Sequence, residues 1–123
     1  MDLQRALLTR LKGATAAGTK VHWQIVPPEA VLPYVRLSTV TEAMPQHLGG
    51  FVGVREALVQ VDCYAANYAE ARALAKAVVA AAVPAGDGFG RALVNALRDR
   101  GEDVNGTWVH CVAVDLSIRF HGG

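Results

Sequence analysis

The sequence has little cysteine, and neither cysteine lies in the paired spacing of a zinc site. Its two cysteines are Cys63 and Cys111. A zinc ribbon or a disulfide scaffold would need more cysteines or CxxC pairs, so neither class is indicated. Both residues stand among small apolar neighbours in strand-like segments. We therefore expect buried, reduced thiols.

The chain also lacks an excess of charge of either sign. Lys and Arg total 12 against 11 Asp and Glu, and they are scattered along the sequence. Proteins that bind duplexes carry clustered basic residues that neutralise phosphates. We therefore expect no sequence-specific nucleic acid among the partners.

Long apolar runs are missing as well. Residues 1–5 read MDLQR, with an acidic residue second and no continuous apolar core. This start predicts neither a secretory signal nor a membrane-spanning helix, so we expect a protein made and kept in the cytoplasm, without a membrane partner. With 123 residues, of which 52% are hydrophobic, the chain is long enough for one core and is predicted to form a single domain, 1–123.

Motifs of catalysis or cofactor binding are absent from the sequence. We find no Walker loop, nucleophile elbow or zincin helix. The glycine cluster at 86–90 follows a predicted helix, whereas dinucleotide glycines follow a strand, so it is interpreted as a turn. His110 lies in an apolar strand row and is interpreted as a partly buried core histidine. No catalytic residue, cofactor or metal is predicted.

One acidic cluster leaves two interpretations open. Asp99, Glu102 and Asp103 precede a predicted hairpin turn and could hold a hard cation through oxygen ligands. Arg98 and Arg100 alternate with these carboxylates and reduce the local negative field. We favour a solvated loop.

The clearest signal is a strand that leads directly into a capped helix. Residues 55–64 alternate with period two, which predicts a half-buried strand. One face carries Ala57, Val59, Val61 and Cys63, and the other carries Glu56, Gln60, Asp62 and Tyr64. Asn67 stands at an N-cap position with Glu70 three residues later, the spacing of a capping box.

The remaining elements follow from spacing and turn residues. Helices are predicted over 3–16 and 68–83, and strands over 20–26, from 32 to 37, and from 107 onward. Asn105 and Gly106 predict a hairpin turn. The last strand is predicted to place Trp108, Val112, Val114, Leu116, Ile118 and Phe120 on the core face, with Asp115, Ser117 and Arg119 opposite. Residues 91–100 fit a helix or a strand equally well.

Several of these segments together resemble a known family. The amphipathic first helix, the proline-led strand PYVRL, the strand ending QVDCYA and the helix carrying AEARAL are similar, in order and spacing, to tail terminator or tail completion proteins of long-tailed phages and gene transfer agents. The resemblance implies a strand over 91–100. The predicted fold is α+β, a twisted, mainly antiparallel sheet of four to five strands packed against two helices.

The same resemblance implies a structural role in virion assembly. Members form a ring, usually a hexamer, that caps the completed tail tube, stops its polymerisation and joins tail to head. The implied partners are further copies of the chain, the tail tube protein and a head-tail connector protein. The implied location is the head-proximal end of the virion tail, after assembly in the bacterial cytoplasm.

Two regions are candidate contacts with a neighbouring subunit or the tail tube. The segment between the second and third strands is unusually apolar, and it either folds back on its own domain or contacts a neighbour. We favour the neighbour, and its candidate residues are Met44, Gln46, His47, Leu48, Phe51 and Val52. The second region is the charged outer strand face, with Arg36, Glu56, Gln60, Asp62 and Arg119.

An alternative function belongs to another class. The same sheet could support a monomeric or dimeric ligand-binding domain or an enzyme of unknown substrate, because a fold does not dictate a function. Its pocket would have to form around His22, Trp23, His110 and Cys111.

Overall fold

Two helices and five strands make up the part of the chain that the structure describes. The structure is a computed structural model, and it describes residues 3–14, 20–26, 31–43, 54–84, 92–104 and 106–121. In chain order the elements are α1 (Leu3–Ala14), β1 (Val21–Trp23), β2 (Tyr34–Ala43), β3 (Val54–Ala65), α2 (Tyr68–Ala82), β4 (Leu93–Val104) and β5 (Thr107–His121). The predicted α+β class is confirmed.

All five strands belong to one open sheet in the order β1-β2-β3-β5-β4. Among the described strands, only the short β1 pairs in parallel, with Val21 opposite Val35. The pairs β2–β3, β3–β5 and β5–β4 are antiparallel, so the predicted, mainly antiparallel sheet is confirmed. Strand β1 is shorter than predicted because Gln24 takes a left-handed conformation, with φ 64°, and turns the chain away.

The helices cover one face of this sheet. Leu7 and Leu11 of α1 are fully buried, and α2 buries a stripe at helical spacing. That stripe consists of Ala71, Leu74, Ala75, Val78 and Ala82. The sheet side of the core is the row Val35, Leu37, Ala57, Val59, Val61, Cys63, Val112, Val114, Leu116 and Ile118. The alternation predicted for β3 and most of that predicted for β5 is therefore confirmed.

Side chains bind the backbone at both ends of helix α2. Its N-cap is Asn67, whose side-chain oxygen accepts a hydrogen bond from the Glu70 backbone N–H at 2.9 Å. The predicted cap is thus confirmed, and it satisfies one orphan donor of the first turn. At the other end, Arg10 of α1 donates to the carbonyls of Ala81 and Pro84, at 3.3 and 2.5 Å. A cation at a helix C-terminus also opposes the negative end of the helix dipole.

The segment with ambiguous periodicity is a strand. Residues 93–104 form β4, which pairs with β5 through a hairpin that brings Val104 opposite Thr107. Gly106 has φ +84°, the left-handed conformation that such turns need. The acidic cluster is interpreted above as a solvated loop. Asp99 and Asp103 are exposed, as expected, but the loop is wrong because Asp99, Glu102 and Asp103 lie within this strand.

Two predictions of burial are corrected. Trp108 was placed in the core but is 60% exposed, because it lies near the hairpin end of β5, outside the buried core cluster. Strand β3 was predicted to be half buried, yet Asp62 and Tyr64 on its other face are 0% and 2% exposed. Both faces of its carboxyl-terminal part are therefore buried.

Candidate functional site on the open face of the sheet

The face of the sheet opposite the core carries the charged residues predicted as a contact surface. Period-two alternation directs Arg36, Gln60 and Asp62 away from the core row, and cross-strand register places Arg36 opposite Asp62. Glu56 lies opposite Arg119 in the same way. We call this side, opposite the helices, the open face. All five of its predicted residues lie on this face, in two groups: Arg36 and Gln60 bind Asp62, and Arg119 binds Glu56.

Asp62 is the centre of the open face, and three side chains bind its carboxylate. Arg36 donates to Oδ2 at 2.9 Å, Gln60 donates to Oδ1 at 2.9 Å, and Arg100 donates to Oδ1 at 3.3 Å. A buried carboxylate is tolerated only when charges and hydrogen bonds compensate its lost hydration. These donors provide that compensation and join β2, β3 and β4.

Small side chains on β5 allow Arg100 to reach Asp62 across an intervening strand. In the register, Asp62 lies opposite Ala113 of β5, and Arg100 lies opposite Cys111. A methyl group and a thiol leave space above the strand for a long guanidinium side chain. The small size of Ala113 and Cys111 on β5 therefore allows the contact between Arg100 of β4 and Asp62 of β3.

A second charged group lies beside the first. Arg98 of β4 binds Asp115 of β5, with Nε 3.0 Å from Oδ2, and also donates to Gln60 Oε1 at 3.0 Å. Since Gln60 contacts Asp62 as well, the two groups form one network. Further along β3, Arg119 pairs with Glu56 at 3.1 Å.

Aromatic rings lie at the other side of Asp62. Tyr34 and Tyr64 stack with centroids 4.8 Å apart, and the Arg36 guanidinium lies 5.8 Å from the Tyr64 ring centre. A cation over a ring face is attracted by the ring quadrupole. The stack and the carboxylate together hold Arg36 in place.

Within each ion pair of the open face, the arginine is more exposed than the carboxylate that it binds. The carboxylates of Asp62 and Asp115 are 0% and 28% exposed, while Arg98 and Arg119 are 49% and 74% exposed. The carboxylates therefore lie in the sheet surface and the guanidinium groups project above it. The open face presents mainly hydrogen-bond donors to a partner.

The sequence alone did not identify Arg98 and Arg100 as members of this face. The sequence did hold one signal for them. Arg98 and Arg100 are two residues apart, and in a strand two such residues lie on the same side, but the segment fitted a helix equally well. Only the pairing of β4 with β5 brings them near Asp115 and Asp62. The predicted loop residues Met44, Gln46, His47, Leu48, Phe51 and Val52 lie outside the described residues.

The residues of the alternative pocket are not brought together. His22 and Trp23 are on β1, whereas His110 and Cys111 are on β5, with β2 and β3 between them in the sheet. Consecutive strand residues also point to opposite faces. No shared pocket can form from these four side chains.

Three further chemically active groups among the described residues are engaged or inert. Burial raises the pKa of the Cys63 thiol well above its ordinary value, and the nearby Cys111 and Asp62 raise that pKa further. A thiol that stays protonated is a poor nucleophile. Asp99 accepts from the Tyr68 hydroxyl at 3.1 Å, and Asp103 accepts from the Gly106 N–H.

The described residues provide neither a metal site nor a membrane-spanning helix. No group of three or more His, Cys, Asp or Glu among them is placed to hold a metal ion. Neither of the two described helices is long and apolar enough to cross a membrane.

Comparisons with known proteins agree with the fold. The model of the family described as tail completion protein gp17 matches residues 1–120. A chain in the virion of a native gene transfer agent particle has the same fold, with a TM-score of 0.57 and 25% identity over 98% of this chain and 95% of that one. No curated protein matches by sequence. This chain is a structural protein of a phage-type tail, and it belongs to the tail completion protein gp17 family.

Proposed function

We propose that the chain forms a ring of about six copies that caps the completed tail tube, stops its polymerisation and joins tail to head. The ring lies at the head-proximal end of the tail and assembles in the bacterial cytoplasm. Its partners are further copies of the chain, the tail tube protein and a head-tail connector protein. The proposal needs no catalytic residue and no cofactor, because the function resides in surfaces.

The observation that carries this proposal is the open face. Helices cover one side of the sheet, and the other side presents a fixed network of guanidinium groups held by carboxylates below them. A surface whose side chains are already ordered loses little conformational entropy when it docks. Such a surface suits a cap that must bind one end of a tube and remain there.

Within this surface the residues have different roles. Arg119 is 74% exposed and is the side chain best placed to contact the tube directly. Asp62 is fully buried, so it acts as a positioning residue that orients Arg36 and Arg100. Glu56 and Gln60 similarly hold Arg119 and Arg98. The segment that includes Met44 to Val52 remains a second proposed contact, with a neighbouring subunit or the tube.

The test is a tube-growth experiment. Purified tail tube protein is polymerised with and without this protein, and tube lengths and tube ends are recorded by electron microscopy. Short tubes with a ring at one end are the expected result. Tubes of unchanged length with undecorated ends would overturn the proposed function.

A charge-reversed variant tests the open face within that experiment. Arg119→Glu places like charges opposite each other at Glu56 and removes the most exposed donor, so we expect long, uncapped tubes. Lys12→Glu, an equal charge change on the exposed side of α1, is the matched control and should cap normally. Normal capping by Arg119→Glu would show that the tube binds elsewhere.

A further inference from the structure

The two lateral edges of the sheet carry a second surface, distinct from the open face. Building on the ring of the proposed function, we infer that neighbouring copies join edge to edge. The β4 side of one copy contacts the β1–β2 side of the next. We call these the β4 edge and the β1 edge.

Exposed large apolar side chains are concentrated at these two edges. Among the described residues, those at the β4 edge are Leu93, Val94, Leu97, Trp108 and Tyr68, and those at the β1 edge are Ile25 and Val31, while Val40 lies over the open face beside Gln60 and Arg98. The described side chains of the central strand β3 contribute none of them. Single exposed apolar residues are ordinary, but grouped ones mark interaction surfaces.

Among the described residues, the backbone at both edges also lacks pairing partners over long stretches. In the described part of the chain, β4 pairs with β5 alone, and β2 beyond Leu37 pairs with β3 alone. An open edge is a template for pairing with another strand, and soluble proteins normally cover it. A neighbouring copy at each edge would provide that cover.

Trp108 is anchored at the β4 edge. It lies against Gly101 of β4, where a Cβ atom would clash with the indole ring. The glycine therefore allows the ring to lie across the edge strand while 60% of the residue stays exposed. A large aromatic side chain held in place at a surface is typical of an interface anchor.

The edges differ in charge. Arg98 and Arg100 of β4 are directed to the open face, where they bind Asp115 and Asp62. Asp99, which is 62% exposed and lies 4.0 Å from Arg72, and Asp103 remain at the β4 edge, whereas Lys20 and Glu42 lie on the β1–β2 side. Two β4 edges together would bring carboxylates against carboxylates, which favours a β4 edge against a β1 edge.

The position of the edges fits a closed ring. A ring requires a heterologous interface, in which two different surfaces of the chain meet, and each copy must present both surfaces. The β4 edge and the β1 edge lie at opposite ends of the sheet order. A pairing of identical edges would instead stop at a dimer.

The test uses one variant for each edge. Leu97→Glu changes a side chain 41% exposed at the β4 edge, and Ile25→Glu changes one 79% exposed at the β1 edge. Thr9→Glu, on the exposed side of α1, is the matched control. Circular dichroism and thermal unfolding verify that all three fold, and light scattering with native mass spectrometry gives their assembly states.

The expected results differ for single variants and their mixture. Leu97→Glu and Ile25→Glu should each lose the ring and remain monomeric, while Thr9→Glu keeps it. Mixed together they should form a one-to-one dimer and nothing larger, because only one intact β4 edge can meet one intact β1 edge. A dimer of either variant alone, or no dimer in the mixture, would overturn the edge pairing.

The outcomes separate this inference from the proposed function. Rings formed by both edge variants would overturn the edge pairing and leave the capping ring intact. Absence of rings for the unchanged protein, both in solution and on tail tubes, would overturn the proposed function, and the edge pairing with it.

Discussion

The charged centre of the open face and the core of the covered face reach high burial by different physical means. On the helix-covered face, aliphatic side chains such as Leu37 and Val114 are buried against α1 and α2. The open face has a small apolar cluster of Tyr64, Val109 and Cys111, but its Asp62 is buried equally well by arginine and glutamine side chains from its own sheet. Apolar contacts are non-directional, whereas the ion network requires particular atoms at particular distances. The covered face therefore stabilises the fold, and the open face fixes the geometry of a surface.

The largest expected effect is on the covered face. Leu37→Ala removes a fully buried side chain and leaves a cavity, so we expect it to lower the free energy of unfolding by about 3 kcal/mol. Val40→Ala, on the same strand but 61% exposed, is the control and should change it by less than about 0.5 kcal/mol. Urea unfolding followed by circular dichroism gives both values. Equal losses of unfolding free energy in the two variants would mean that burial on the covered face does not set the stability.

The next effect is at the centre of the open face. Asp62→Asn keeps the shape but removes the charge that Arg36 and Arg100 bind, and we expect a loss of about 2 kcal/mol in the free energy of unfolding. The two arginines are 35% and 44% exposed and can turn to solvent, which limits the loss. Asp115→Asn, at a more exposed ion pair, should cost less than about 1 kcal/mol. A fully stable Asp62→Asn variant would show that charge does not hold this face.

A third effect appears only at high pH. The pKa of Cys63 is raised in the folded state by burial, so its thiol keeps its proton there while the unfolded thiol ionises above about pH 8.5. Below that pH both states are protonated and the thiol has no pH effect. Above it the unfolded state binds fewer protons, so stability falls by about 1.4 kcal/mol per pH unit.

Unfolding in urea at pH 8, 9 and 10 measures this slope. Cys63→Ala is the control, and the difference between the two proteins isolates the contribution of this thiol. Parallel pH profiles for the two proteins would contradict the raised pKa.

The smallest effect is at the rim of the open face. The pair Arg119–Glu56 is exposed, so Arg119→Ala should change the free energy of unfolding by less than about 0.5 kcal/mol. Thermal unfolding at two salt concentrations measures it. A loss above about 1 kcal/mol would place this pair among the residues that hold the fold, and would weaken its use as a probe of tube binding.

Local sequence signals predicted the elements that depend on nearby residues. The cap at Asn67, the apolar stripe of α2 and the alternation of β3 were all predictable, because each is set by groups a few residues apart. The class of β4 was not, since its apolar spacing fits two periods. The exposure of Trp108 was also missed, because position along a strand does not reveal where the covering helices end.

The candidate site could be predicted only in part. Alternation put Gln60 and Asp62 on one face, and Arg36 was predicted as part of the same charged outer face. The burial of Asp62 was missed because it depends on Arg100, 38 residues away and on the far side of β5. The alternation within a strand predicts which of its side chains share a face, but it does not predict which other strand lies beside that strand in the sheet.

The sequence by itself determined the helices, most of the strands and their polar and apolar faces, because period and capping are local properties of the chain. Only the tertiary structure decided the strand order β1-β2-β3-β5-β4, which surrounds Asp62 with arginines from two other strands and leaves β4 and β1 at the two edges. The physical reason is that the pairing of distant strands depends on the combined burial of many residues, and no single segment of the sequence predicts that combined burial.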